Sequence, residues 1–416
     1  MANFTIPPHL DSELQLLLLC CQNQTDPKIS RTIQTRCATG INWDVLIQKA
    51  LSHGILPLVY QKLTAVAPGG VPLPVMHKLK NHYKVNARQS FLLSRELIHI
   101  IKSFDQAAIK AVAYKGPLLA ELTYGDLALR QSADLDILIT KPDLPAATDI
   151  LTSRGYQPDK QYQLNWEAHF INPESRFVVD LHWGVTTFNL EKTDDISFEL
   201  DLKAVWKRVE PADFLGLPVH TFAQEDLLMI RCQDAVKEFW KDEWPQLKWV
   251  VDIDRIVEYY LNMDWPLLVL NARQQGNLRL LYLCLSLAKQ LVGTHLPPRL
   301  VSEIQNEPRL ASVTKVVIDQ LRRQGQKENR FLNPTNGFIL RGIFCIKLKD
   351  RFSDKIIYLR KILKEYYARM RLVAKLKENR SILPLPRPLS FLSLLLPPAY
   401  VIWHLIFRSH QRHRID

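Results

Sequence analysis

Ala133-Asp134-Leu135-Asp136-Ile137-Leu138-Ile139-Thr140 is the stretch on which the reading of this chain turns. From Leu135 to Thr140, four of six places are apolar and Asp136 is the one charge, the pattern of a mostly buried strand with a functional end. Alternate side chains of a strand share a face, so Asp134 and Asp136 stand side by side. Two like charges that close raise each other's pKa unless a cation sits between them, and a hard divalent ion with oxygen ligands is the usual resolution.

Outward from this strand the pattern is α/β. Upstream, residues 111–114 are β-prone and stop at Lys115-Gly116-Pro117, where Pro117 opens a short helix over 118–124. Downstream, a helix over 144–154 closes with Gly155. Two β-prone runs follow, 162–171 and 176–185, joined by Asn172-Pro173-Glu174-Ser175, a hairpin signature. The second run, Phe177-Val178-Val179-Asp180-Leu181-His182-Trp183, carries a third carboxylate, and an acid in so apolar a strand needs a partner. If this hairpin pairs beside the Asp134 strand, the three acids converge.

These elements make a small α/β domain over residues 106–222. Before it, 1–105 reads as helical, with Asp11 as N-cap of a helix to about residue 22, Asn42 before a helix over 43–53, a Pro/Gly loop over 65–74, and a long helix over 76–104. After it, the helical period returns at 224–239, 245–262, 265–275, 278–292 and 299–306, a helical region over 223–330. The expected class is α+β, a small mixed sheet flanked by N- and C-terminal helical regions.

Charge separates this body from a tail. The 416 residues include 54 Lys+Arg and 42 Asp+Glu, a formal net charge of +12. Residues 331–416 hold 17 Lys/Arg and 5 acids, so residues 1–330 are formally neutral and the excess lies in the tail. That excludes a protein whose main body is a uniformly basic nucleic-acid binder. With 47% hydrophobic and 23% charged residues the chain is neither disordered nor fibrous. Six cysteines, Cys20, Cys21, Cys37, Cys232, Cys284 and Cys345, show no C-x-x-C pair and no zinc-like spacing with histidine, as expected of buried thiols in a reducing, cytoplasmic compartment. The apolar run 16–21 follows Asp11 and Glu13 instead of Lys or Arg, and so reads as a buried helix and not a signal peptide.

Within the tail, the apolar places Ile356, Leu359, Leu363, Tyr366, Met370 and Val373 form a helix stripe over 354–378 with Lys and Arg on the other faces. Such a helix docks on the body, pairs with a partner, lies on an anionic membrane or is simply a solvated basic face. Residues 389–407 carry no formal charge but are broken by Pro397-Pro398, which favours two short apolar segments on the protein or at a membrane surface over a transmembrane helix. Residues 354–408 are therefore the expected place of any membrane-surface or protein contact, at the inner membrane surface of the cytoplasm.

The residues alone leave two readings of the acids. Three converging carboxylates suit two Mg²⁺ ions that clamp a nucleotide triphosphate and the attacking hydroxyl, and a solvated strand-end pair is the plainer alternative. At the Lys115-Gly116-Pro117 turn a glycine allows close backbone approach and Lys115 offers a point charge to phosphate. Arg130 reads as a phosphate contact or as an exposed or Asp-paired arginine. His182 shares the face of Asp180 and reads as support for the ligands or as a packed histidine. Trp183 and the aromatics Phe239, Trp240, Trp244 and Trp249 read as core.

Lys115-Gly116, Tyr124, Arg130, Asp134-Leu135-Asp136-Ile137-Leu138-Ile139 and Val179-Asp180-Leu181-His182-Trp183, in that order, resemble the K-G…R…D-x-D…D-x-H-W signature of an uncharacterised bacterial nucleotidyltransferase family. That family is a distant branch of the DNA polymerase beta-like nucleotidyltransferases, and the likeness covers about residues 40–300 in layout. The resemblance implies that Asp134 and Asp136 hold metal, that Asp180 is the third catalytic carboxylate, and that Gly116 stands in the phosphate-binding turn. This chain has Lys115-Gly116-Pro117 where the wider superfamily has Gly-Ser, and Lys115 substitutes there as a charge. The implied reaction is Mg²⁺-dependent transfer of a nucleoside monophosphate from an NTP to an acceptor, with nucleic acid not the main partner. The alternatives are an inert scaffold or binding protein of the same fold, and an enzyme that transfers AMP to a protein.

Overall fold

The computed structural model describes residues 10–23, 26–159, 166–184, 200–241, 246–323, 342–360 and 362–364. The chain divides into two units, 1–189 with 197–325, and 190–196 with 326–416.

The first unit begins with helices α1 (Ser12–Cys21), α2 (Pro27–Ala38), α3 (Trp43–Ser52), α4 (Leu56–Val66) and α5 (Leu73–Gln106). The two expected caps are made: Asp11 accepts the Leu14 N–H at 2.9 Å and Asn42 accepts the Val45 N–H at 3.2 Å. Helices α2 and α4 go beyond the sequence reading, yet each has a proline in its first turn, and Asp26 caps α2 by accepting the Ile29 N–H at 2.7 Å. Every residue of α1 from Leu14 to Cys21 is buried, so the apolar run is a core helix enclosed on all sides.

His53 ends α3 fully buried, and neither ring nitrogen has a hydrogen-bond partner among the described residues. Burial first, then the nearby Lys49 charge, pushes its imidazole down to about 3. The native ring is thus neutral where the unfolded chain protonates near ~6.5, and the unfolded state binds the extra proton between those values. Stability from this group is complete above the unfolded pKa and is lost as pH falls, by ~1.4 kcal/mol per pH unit at most. We expect His53→Leu to narrow the stability difference between pH 7 and pH 5 by about 2 kcal/mol, measured by urea unfolding at both pH values. An unchanged difference would show that the ring is not held neutral.

The sheet is built from β1 (Val112–Ala113), then, after α6 (Gly116–Leu119), β2 (Asp134–Leu138), and after α7 (Leu144–Ser153), β3 (Gln157–Pro158), β4 (Glu167–Ile171) and β5 (Val178–His182). Helix α8 (Leu202–Lys207) leads to β6 (Glu210–Phe214) and β7 (Leu217–Thr221). The order across the sheet is β3-β4-β5-β2-β1-β7-β6. β2 pairs with β5 and β1 with β7 in parallel, and the other neighbours are antiparallel, so the sheet is mixed as expected. The β4–β5 hairpin turns at Asn172, whose Oδ1 accepts the N–H groups of Glu174 and Ser175, each at 3.0 Å.

The two faces differ. Leu135 and Ile137 of β2, Val179 and Leu181 of β5, and Ala168 and Phe170 of β4 pack into one cluster with Leu93, Leu97, Ile100, Ile101 and Phe104 of α5 and Ala147 and Leu151 of α7. Trp183 packs on this core while partly exposed. The opposite face carries the alternate residues, and among them are the acids. Helices α9 (Gln224–Lys241), α10 (Leu247–Tyr259), α11 (Trp265–Gln275), α12 (Leu278–Val292), α13 (Pro298–Gln305) and α14 (Leu310–Arg323) complete the unit. Of these, α9 and α10 supply the partners of that polar face. Trp249 is buried as expected, whereas Trp244 and the side chains of Phe239 and Trp240 lie outside the described residues.

In the second unit, residues 342–348 and 352–360 are helical. A Cβ at Gly342 would lie 2.6 Å from Ile362 Cδ1, so the absence of a side chain there permits the contact. Phe352, Ile356 and Ile357 are exposed. Residues 365–378 of the basic stripe and the Pro-broken stretch 389–407 lie outside the described residues. Among the described residues no helix is long and apolar enough to cross a membrane.

Candidate active site

Parallel pairing of β2 with β5 runs in the register Asp134↔Val178, Asp136↔Asp180 and Leu138↔His182, while antiparallel pairing of β4 with β5 sets His169 opposite Asp180 and Glu167 opposite His182. Directly paired residues share a face, so Asp134, Asp136, Asp180, His182, Glu167 and His169 form one polar surface over three strands. His182 Nε2 stands 3.2 Å from Asp136 Oδ1 and His182 Nδ1 stands 3.3 Å from Glu167 Oε2. His169 Nε2 is 3.3 Å from Glu167 Oε1 and His169 Nδ1 is 2.8 Å from Asp180 Oδ1. Glu167 therefore holds two histidines, each of which faces one of the acids.

From Asp136 the network continues into the helices. Lys115 donates to Asp136 Oδ1 at 3.0 Å and lies 3.0 Å from Asp234 Oδ2 of α9. Arg231 bridges Asp234 at 2.9 Å and Asp252 of α10 at 2.8 Å. Asp252, fully buried, also receives Arg130 in a two-pronged contact, Nε to Oδ1 at 2.8 Å and Nη2 to Oδ2 at 3.0 Å, and the Tyr124 hydroxyl at 2.6 Å. Arg130 Nη1 donates to Ser132 Oγ at 3.0 Å and to the Gly116 carbonyl at 3.4 Å. The arginine that reads from sequence as a phosphate contact or a carboxylate partner stands here as a carboxylate partner.

Electrostatics follow from this pairing. Burial alone would raise the Asp136 carboxyl, but Lys115 and His182 hold it well below the usual range. Burial likewise opposes ionisation of Glu167, and its contacts with His169 and His182 override it, leaving a carboxylate held low. Burial disfavours the His182 imidazolium, yet Asp136 and Glu167 lift it to about 9, and contacts with Asp180 and then Glu167 lift His169 to about 10. Asp134 behaves differently: burial first, then the Asp136 and Asp180 charges, push it to about 6. It is the one acid of the three with no cation within 4.0 Å among the described residues.

Ligand atoms of Asp136, Asp180 and His182 lie within 4.8 Å of one another, close enough to share one cation. The donor set, two carboxylates and one imidazole with the unpaired Asp134 on the same face, fits a divalent cation that accepts oxygen and nitrogen ligands. His182 offers nitrogen only as neutral imidazole, so a cation bound there displaces its proton.

Gly116 sits at φ 57°, where a Cβ would lie 3.2 Å from the Asp134 carbonyl oxygen. The glycine thus lets the turn after β1 press against the start of β2. Gly116→Ala is expected to destabilise by about 1–2 kcal/mol from the left-handed backbone, with a further loss where Asp134 is displaced. Urea unfolding checks this, and a neutral result would mean that the turn re-forms with negative φ.

The structure brings together Lys115, Gly116, Asp134, Asp136, Asp180 and His182, and seats Arg130 behind them. Glu167, His169, Arg231, Asp234 and Asp252 are members that sequence reasoning missed. For Glu167 and His169 a signal existed, since they alternate on a β-prone run as Asp134 and Asp136 do. For the three helical residues none existed locally.

An α+β fold whose mixed sheet carries paired aspartates on one face fits a nucleotidyl-transfer enzyme. The chain belongs to the family described as uncharacterised nucleotidyltransferase, whose model matches residues 39–293, and is thus a transferase of nucleotidyl groups. No curated protein matches the chain.

Proposed function

We propose that the chain transfers a nucleoside monophosphate from an NTP to an acceptor in a Mg²⁺-dependent reaction that releases pyrophosphate, on the polymerase beta-like plan. The observation that carries this reading is the parallel β2–β5 register, which sets Asp136 beside Asp180. Residues 106–222 are the catalytic domain in this reading, flanked by the helical regions. Asp134, Asp136 and Asp180 hold the cations, with His182 as a further ligand or as the group that orients Asp136. Divalent cations bound there would neutralise the triphosphate and make the acceptor hydroxyl more acidic.

The chain's own residues divide the remaining work. Asp180, with His169 at 2.8 Å, takes up the acceptor proton. The acceptor oxygen bonds to the α-phosphorus, the bond from that phosphorus to the bridging oxygen breaks, and pyrophosphate leaves. Lys115 is committed to Asp136 and Asp234, so its part is to fix Asp136. Gly116 lets the backbone approach phosphate.

The test is a panel of four NTPs, each with Mg²⁺ and with a chelator, in the presence of pooled small-molecule, sugar and protein acceptors. Pyrophosphate release that needs Mg²⁺ is expected for at least one NTP. Absence of release across the whole panel, with the protein folded, would count against the reading.

A further inference from the structure

Of the cations that act on the acid face, Lys115, Arg130 and Arg231 are each held by carboxylates. Lys237 and Lys248 have no carboxylate oxygen within 4.0 Å among the described residues. Lys237, three residues after Asp234 on α9, acts on Asp234 and on Glu167 of β4, the strand separated from β2 by β5. Lys248, in the first turn of α10, stands one turn before Asp252 on the helix face that meets Arg130 and Arg231, and its charge acts on Asp252 and on Asp134, the acid without an ion pair among the described residues.

Lys248 is seated for a purpose other than a salt bridge. Its N–H donates to the His53 carbonyl at 3.1 Å. Its stem runs so close over Gly54 that a Cβ there would lie 2.8 Å from Lys248 Cδ, and Gly54 itself holds φ 68°. Burial first, then the Arg130 charge, keeps its ammonium below the usual range. A partly desolvated ammonium without a counter-ion costs free energy that an arriving anion recovers. Asp134, a carboxylate within reach of its charge and without an ion pair among the described residues, is suited to a cation and supplies the other kind of charge that a metal-bound phosphate chain requires.

We propose that Lys248 is the residue that binds the phosphate chain of the nucleotide, on the Asp134 side of the site. This rests on the nucleotidyl-transfer reading and deepens it by moving the phosphate contact from Lys115 to α10. Point-charge recognition by a lysine suits di- and triphosphates of any base.

The test is calorimetric titration of the full chain with inorganic pyrophosphate and Mg²⁺, a probe that needs no knowledge of the base. Lys248→Gln, which keeps part of the stem over Gly54, is expected to weaken binding by about tenfold or more, the loss of one charge-assisted contact. Lys248→Arg restores the charge and is expected to bind within about threefold of wild type. Circular dichroism melts establish that the variants fold, and the arginine variant carries the comparison if the glutamine variant does not. If Lys248→Gln binds as wild type while Asp136→Asn does not, or if a folded Lys248→Arg loses binding, the lysine assignment is wrong and nucleotidyl transfer stands. If the wild type itself binds no pyrophosphate, the nucleotidyl-transfer reading fails and this inference with it.

Discussion

Asp136→Asn is expected to lower nucleotidyl transfer by about a thousandfold, because several kcal/mol of transition-state stabilisation depend on the charge that holds the cation, and each ~1.4 kcal/mol is tenfold. Asparagine has the size of aspartate, and its side-chain oxygen still accepts from Lys115. The sheet should therefore persist, with Lys115 still beside Asp234 and His182 beside Glu167. The measurement is pyrophosphate release under the conditions that support the wild type, alongside a circular dichroism melt. Turnover near the wild-type rate in a folded variant would remove Asp136 from the chemistry and with it the proposed use of the β2–β5 face.

Asp252→Ala is expected to cost about 3–5 kcal/mol of stability, since it leaves the Arg130 and Arg231 guanidinium groups buried with one carboxylate fewer between them. For a unit of this size that lowers the unfolding midpoint by roughly 10 °C. Arg130→Met leaves Asp252 still paired with Arg231 and is expected to cost less. Equal or reversed losses for the two variants, measured by differential scanning calorimetry, would show that carboxylate pairing is not what fastens α10 to the sheet. Burial alone would raise the Asp252 carboxyl, but Arg130 and Arg231 hold it far below the usual range, so it remains ionised throughout the neutral range where these comparisons are made.

Local chemistry made much of the fold legible. Capping carboxylates and amides at Asp11 and Asn42 act within three residues, and the helices over 265–275 and 278–292 are bounded by Gly276 and Gly293, both at positive φ. Such signals need no tertiary context. The β6–β7 hairpin escaped notice because its turn, Leu215-Gly216, places a leucine at φ 54° where asparagine or aspartate is the usual cue. Helices α2 and α4 escaped because short prolines-first segments resemble loop punctuation when read one residue at a time.

The sequence by itself determined which residues share a strand face: period-two alternation places Asp134 with Asp136 and Asp180 with His182 whatever the strands pair with. The ordered motif also pointed to the family. Only the tertiary structure decided that β5 lies parallel to β2 in the register that joins these pairs, because strand partners are chosen by burial of the opposite, apolar face on α5 and α7. It alone decided which cations are committed. Arg130 meets a carboxylate 122 residues away, and Lys115 meets one on α9, through the packing of helices whose own sequence gives no hint of the sheet they cover. Among the described residues the same packing leaves Lys248 and Asp134 without an ion pair within 4.0 Å, and that difference between spent and unspent charge is what separates a network that holds the fold from a site that can take a ligand.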